Sequence, residues 1–257
     1  VQLAQMEKVF ATEARPLEVQ IEYEVGEVRT GVTNDEQLTR LVAAIQACRH
    51  VVLKGIFSHE GHTYKAASIA DCREKAQAAY AKTVRAAEII RGMGVELDTV
   101  SVGATPSVMH MQSFPGITEL RLGTYIFFDV GQSNAIGDFD RCAATVLASV
   151  ISKPQGDRVV LDTGAKALVS QNRPTGICAT AGFGAIKGAE DITIDALFDE
   201  HGVLNSAKFR EQVAVGNKVE VIPSHVCPTV NLYDTAYLVS NGKVIRTLPI
   251  ECRGHSK

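Results

Sequence analysis

The sequence has no run of lysine or arginine, no CxxC pair and no secretory-signal pattern in its first residues. Its longest charge-free apolar stretch, Cys142 to Ser152, falls far short of the ~20 residues that span a bilayer. With 26 Lys plus Arg against 29 Asp plus Glu, it offers no footprint for a nucleic-acid backbone or an anionic membrane. The six cysteines, at 48, 72, 142, 178, 227 and 252, form no tight framework, so reduced thiols and a cytoplasmic address are expected. A content of 46% hydrophobic and 21% charged residues excludes disorder, collagen and coiled coil. The 257 residues leave room for two domains at roughly 100–200 residues each.

What is present is alternation of strand and helix. Leu17 to Val25 alternates apolar and acidic residues as a strand does, after a helix predicted over Gln2 to Ala14. Asn34 is placed to cap a helix through Cys48. His50 to Phe57 reads as a second strand, Ala66 to Met93 as a long amphipathic helix, and Glu96 to Val102 as a third strand, with another near Glu119 to Leu122. That order predicts parallel βα units. Beyond about Asp129 short strands are predicted at Ala143–Ser152, Arg158–Asp162 and Lys218–Ile222, separated by Gly, Pro and Asn turns, which reads as an all-β domain. The first ~130 residues supply about four βα units, half of a (β/α)8 barrel. The boundaries expected are therefore 1–129 for a half-barrel and 130–257 for a β-domain.

Several groups could carry chemistry. Ser101-Val-Gly-Ala-Thr-Pro106 ends a strand and opens a short helix, where backbone N–H groups and the Thr105 hydroxyl could meet a phosphate. A plain strand-to-helix turn with Pro at the first helical positions gives the same pattern. His59-Glu-Gly-His-Thr-Tyr64 follows a strand on the side where parallel βα proteins place their sites, though surface histidines are common there. Arg29 follows a strand and could face a ligand or lie solvated. His225 and Cys227 stand two apart in what reads as an extended segment, on one face. Imidazole and thiolate suit zinc, and two ligands leave positions open for substrate, but a core His and Cys look alike in sequence. Gly182-Phe-Gly184 with Gly188 lacks the spacing of a dinucleotide loop.

In order along the chain, Gly26–Val32 (GEVRTGV), Gly55–Tyr64 (GIFSHEGHTY), Val100–Pro106 (VSVGATP), Glu119–Asp129 (ELRLGTYIFFD), Leu161–Ala167 (LDTGAKA) and Pro223–Asp234 (PSHVCPTVNLYD) resemble the D-serine dehydratase and D-threonine aldolase family. The resemblance implies an alanine-racemase-like fold, a barrel followed by a β-domain, and pyridoxal 5'-phosphate as cofactor. It implies that Arg29 faces the pyridine nitrogen, that Tyr64, Thr105, Gly123 and Thr124 hold the cofactor, largely through its phosphate, and that His225 and Cys227 bind Zn²⁺. An HxC pair is similar to the dehydratase branch, whereas HxD is typical of the aldolase branch.

Dehydratase chemistry, D-serine to pyruvate and ammonia, is therefore expected, with an aldolase or racemase of the same family as the alternative. A homodimer is expected for the complete enzyme, with a small D-amino acid as its substrate. Phe57 stands where dehydratases often carry a cofactor-site Tyr. The family's Schiff-base lysine lies upstream of anything that matches here, and Lys54 does not correspond to it. The chain is accordingly expected to be an N-terminally truncated enzyme with no catalytic residue of its own, inactive alone. A non-catalytic fragment or partner subunit is the reading from outside the enzyme class.

Overall fold

The computed structural model describes Val1 to His255, and the chain divides into two compact units, Val1–Leu122 and Gly123–Lys257. The first unit runs α1 (Gln2–Phe10), β1 (Leu17–Glu22), α2 (Asp35–Gln46), β2 (Val51–Phe57), α3 (Ile69–Gly92), β3 (Thr99–Val102), α4 (Thr105–His110) and β4 (Glu119–Leu120). Its four strands form one parallel sheet in the order β1-β2-β3-β4, so each helical connection returns the chain to the next position.

Local signals explain most of these boundaries. Asn34 caps α2 by accepting the Gln37 N–H at 2.9 Å, and Leu38, Val42 and Ile45 bury one face of that helix. The helix predicted from Ala66 begins at Ile69. Gly61–Lys65 forms a separate 3₁₀ turn, and the Ser68 hydroxyl accepts the Asp71 N–H at 3.1 Å to start α3. The small face of α3, Ala76, Ala79 and Ala87 with Ile90, packs in a core with Ile21, Leu53, Ile56 and Val100. Burying each large side chain here contributes about 1.5–3 kcal/mol. β1 stops at Glu22 instead of reaching Val25, because the Glu24 carboxylate draws the following backbone into a turn.

The second unit contains α5 (Val130–Ile136), β5 (Val146–Ser152), β6 (Arg158–Leu161), β7 (Gly184–Ile186), β8 (Ala189–Thr193), β9 (Ala196–Leu197), β10 (Gly202–Asn205), α6 (Ala207–Gln212), β11 (Lys218–Pro223), α7 (Val226–Val230), β12 (Thr235–Ser240) and β13 (Lys243–Pro249). Seven strands make an antiparallel sheet in the order β8-β7-β11-β5-β6-β10-β9, and β12 and β13 form a separate hairpin. Val159, Leu161, Ile194, Leu204, Val221 and Phe209 are its core. The architecture is thus a partial βα barrel followed in sequence by a β-domain. No helix among the described residues is long and apolar enough to cross a membrane.

Candidate functional site

In the first unit the loops after β1, β2 and β3 meet at the C-terminal edge of the parallel sheet. The Glu24 side chain accepts from Gly26 N–H and, at 3.3 Å, from Arg29 N–H. Burial pushes this carboxyl up, but the N–H groups of Val28, Gly26, Arg29 and Glu27 outweigh it and hold it below the usual carboxylate range. The loop needs φ +147° at Gly26 and φ +56° at Val28 to wrap the carboxylate. It presents Arg29 with its guanidinium exposed, 3.8 Å from Glu22.

The Gly61–Lys65 turn carries Tyr64 and places the His62 ring under Gly26, where an added Cβ would stand 2.8 Å from His62 Cε1. Desolvation lowers the His62 pKa, against the pull of Glu27, Glu60 and Glu24.

Glu60, in the same segment, is fully buried and reaches the loop after β3. Its carboxylate accepts from Gly103 N at 3.2 Å, Ala104 N at 2.9 Å, Tyr80 Oη at 3.3 Å and the Ser107 hydroxyl. His59 Nδ1 lies 2.7 Å from the Gly103 carbonyl. This corrects part of the phosphate reading, since two of the backbone N–H groups expected to face a ligand are already taken by Glu60. The Thr105 hydroxyl remains, 1% exposed and without a hydrogen-bond partner among the described residues. Arg121 stacks over the Phe57 ring at 4.2 Å and donates from Nε to Ser101 Oγ at 2.8 Å. Lys54 is bound to Asp98 at 2.9 Å, a hydrogen bond that raises its pKa and keeps it protonated.

In the second unit Gly123 precedes a 3₁₀ turn, Thr124–Ile126, with Thr124 buried. His225 and Cys227 do not lie on an extended segment. β11 ends at Pro223, His225 is the N-cap of α7 and Cys227 is in its first turn. Pro228 fits this turn because a first-turn N–H needs no helical partner, and the Thr229 hydroxyl bonds back to the His225 carbonyl at 2.8 Å. Asp129 fixes both helices, accepting Gln132 N at 2.9 Å and Val226 N at 3.0 Å. Burial raises its pKa against those N–H groups and Arg173.

Gln171 Oε1 lies 2.9 Å from His225 Nδ1, and its carbonyl accepts the Ser224 hydroxyl at 2.9 Å. Burial, helped by Arg173, pushes His225 down to about 4, so its imidazole is neutral at neutral pH. Desolvation raises the Cys227 thiol, and a hydrogen bond from Thr124 partly opposes this. One residue expected at the cofactor thus touches one expected at the metal. Sequence reasoning missed Glu24, whose partners are its neighbours in the chain, and Glu60, Arg121, Asp129 and Gln171, which also meet partners that only the fold brings near.

Residues 1–130 match the alanine racemase N-terminal domain, and residues 143–239 match a serine dehydratase domain. The chain is 30% identical to a D-threonine aldolase of Arthrobacter sp over 260 residues, 99% of this chain and 66% of that protein. It is 28% identical to the D-serine dehydratase of Schizosaccharomyces pombe over 274 residues, 98% of this chain and 64% of that protein. It therefore spans about two thirds of the length of these relatives. The structure of D-threo-3-hydroxyaspartate dehydratase from Delftia sp. HT23 superposes with a TM-score of 0.84 at 24% identity, covering 96% of this chain and 70% of that one. That dehydratase has also been solved with a histidine replaced by alanine and, in a metal-free form, with a cysteine two positions on replaced by alanine. The fold is the alanine-racemase-like one, a βα barrel domain joined to a β-domain. The chain belongs to the family defined by the alanine racemase N-terminal domain, with the serine dehydratase domain following it.

Proposed function

We propose that this chain belongs to a pyridoxal-phosphate- and zinc-dependent lyase of the D-serine dehydratase type, acting on small 3-hydroxy D-amino acids, with residues 1–129 as its cofactor half-barrel and 130–257 as the β-domain that carries the metal pair. The observation that carries the reading is the donor pair of α7: a neutral imidazole and a thiol two residues apart, at the spacing of the histidine and cysteine replaced in the solved dehydratase. A soft thiol beside an imidazole suits zinc. The cofactor fits through the Thr105 hydroxyl, a buried donor without a partner among the described residues, where a phosphate oxygen would satisfy it.

When bound, pyridoxal phosphate supplies an electron sink for the substrate's Cα electrons, and zinc supplies Lewis acidity at the β-hydroxyl. The chain's own residues hold and orient. Arg29, on a loop stiffened by Glu24, would offer its positive charge to the pyridine nitrogen and so disfavour its protonation. Thr105 and Tyr64 of the first unit would contact the phosphate, and Gly123 and Thr124 of the second unit are the other residues that the family pattern assigns to the cofactor. His225 and Cys227 would hold the metal, and Asp129 keeps the helix that bears them in place. Lys54, tied to Asp98, is not the covalent anchor for the cofactor.

The test incubates D-serine and D-threonine with the chain, and with a form extended upstream of Val1 by the lysine-bearing strand of a relative, each given pyridoxal phosphate and zinc. Pyruvate and ammonia from D-serine in the extended form support the proposal. Glycine and acetaldehyde from D-threonine without pyruvate assign it to the aldolase branch, and no product in either form leaves the partner-subunit reading.

A further inference from the structure

Resting on the metal reading of His225 and Cys227, we propose that Gln171 is the positioning residue of the metal pair: its carboxamide oxygen fixes the His225 imidazole as the Nδ1–H tautomer, leaving Nε2 as the lone-pair nitrogen that takes the metal. A neutral imidazole has one donor and one acceptor nitrogen, and the partner of the first decides which nitrogen is free to ligate. Gln171 Oε1 stands 2.9 Å from Nδ1, and an amide oxygen can only accept, so the proton sits on Nδ1.

Three further contacts hold the ring and its partner together. The Gln171 backbone carbonyl accepts the hydroxyl of buried Ser224 at 2.9 Å, which joins the Gln171 segment to the residue preceding the imidazole. The Thr229 hydroxyl bonds to the His225 carbonyl, and Asp129 holds the N–H of Val226, so the backbone on both sides of His225 is fixed. The imidazole therefore has a set backbone and a set Nδ1 partner before any metal arrives. Such outer contacts orient a ligating ring, and their loss typically lowers metal affinity about 10–100-fold.

Gln171 is exposed, and its side chain can be changed while its backbone bond to Ser224 is retained. Zinc affinity is measured by competition with a chromophoric chelator on the wild-type chain, Gln171→Leu, Gln171→Glu and His225→Ala, alongside the ¹⁵N shifts of the His225 ring in metal-free protein. The expected result is an Nδ1–H tautomer in the wild type, tautomer mixing and about 10–100-fold weaker zinc binding in Gln171→Leu, and affinity restored or exceeded in Gln171→Glu, whose carboxylate can only accept. Zinc held through His225 with equal strength in Gln171→Leu, or a wild-type ring protonated on Nε2, overturns the proposal alone. Zinc binding unchanged in His225→Ala overturns the metal reading and this proposal with it.

Discussion

At the scale of single residues, the buried Glu60 carboxylate has the largest stake. It satisfies the Gly103 and Ala104 N–H groups and the Ser107 hydroxyl in a place without water access. Glu60→Ala leaves those donors unpaired and is expected to cost about 3 kcal/mol, while Glu60→Gln, which keeps one acceptor oxygen, costs less. Urea unfolding midpoints check both.

Cys227→Ala is expected to abolish zinc uptake, measured by metal analysis, and to affect pyridoxal phosphate binding only weakly, since of the residues assigned to the cofactor only Thr124 touches the thiol. Equal zinc in the variant would mark His225 and Cys227 as an ordinary helix-start pair. His62 gives a pH dependence of definite sign. Burial lowers its folded-state pKa below the unfolded value of about 6.5, so the unfolded chain takes up a proton first as pH falls. The contribution is absent above that value and grows destabilising from about pH 6.5 down to the folded pKa. His62→Gln should flatten the fall in stability between pH 7 and pH 5 in denaturant titrations at each pH.

At the scale of elements, the loops that carry the candidate residues share a device. Glu24 folds the Arg29 loop around itself, Glu60 folds the loop leading to Thr105, and Asp129 ties the start of α7, with His225 and Cys227, to the start of α5. Each uses a carboxylate to collect backbone N–H groups that a loop or helix start leaves open. Asp129→Ala should therefore loosen two helices at once, with faster hydrogen exchange at the Gln132 and Val226 amides and weaker zinc binding. Exchange confined to Gln132 would show that α7 is held by other contacts.

Gly26→Ala tests the packing of one such loop from the other side. Its φ of +147° is left to glycine, and the new methyl would meet the His62 ring, so a loss of about 1–3 kcal/mol is expected.

At the scale of the whole molecule, the division at Leu122/Gly123 leaves Tyr125, Ile126 and Phe127 exposed just after it, ahead of Asp129, which bonds to Val226. Chymotrypsin under native conditions is expected to cut first at Tyr125 or Phe127. A first cut beyond residue 160 would place the weak point inside the β-unit instead. The family, the βα-then-β order and the residue types at the strand ends were legible in the sequence because they rest on local periodicity and on short motifs in a fixed order. Asn34 is an example, since its capping bond to Gln37 involves neighbours in the chain.

The structure alone decided which donors are already occupied and what geometry the HxC pair adopts. The Glu60 bond to Ala104 spans 44 residues, the Gln171 bond to His225 spans 54, and the Asp129 bond to Val226 spans 97. Spacing along the chain cannot specify such partners, because they meet only when separate strands and helices have folded and buried groups must find acceptors without water. For that reason Ser101 to Pro106 could be read as an open cradle when Glu60 fills much of it, and His225 to Cys227 as an extended segment when Asp129 and Thr229 close it into a helix start.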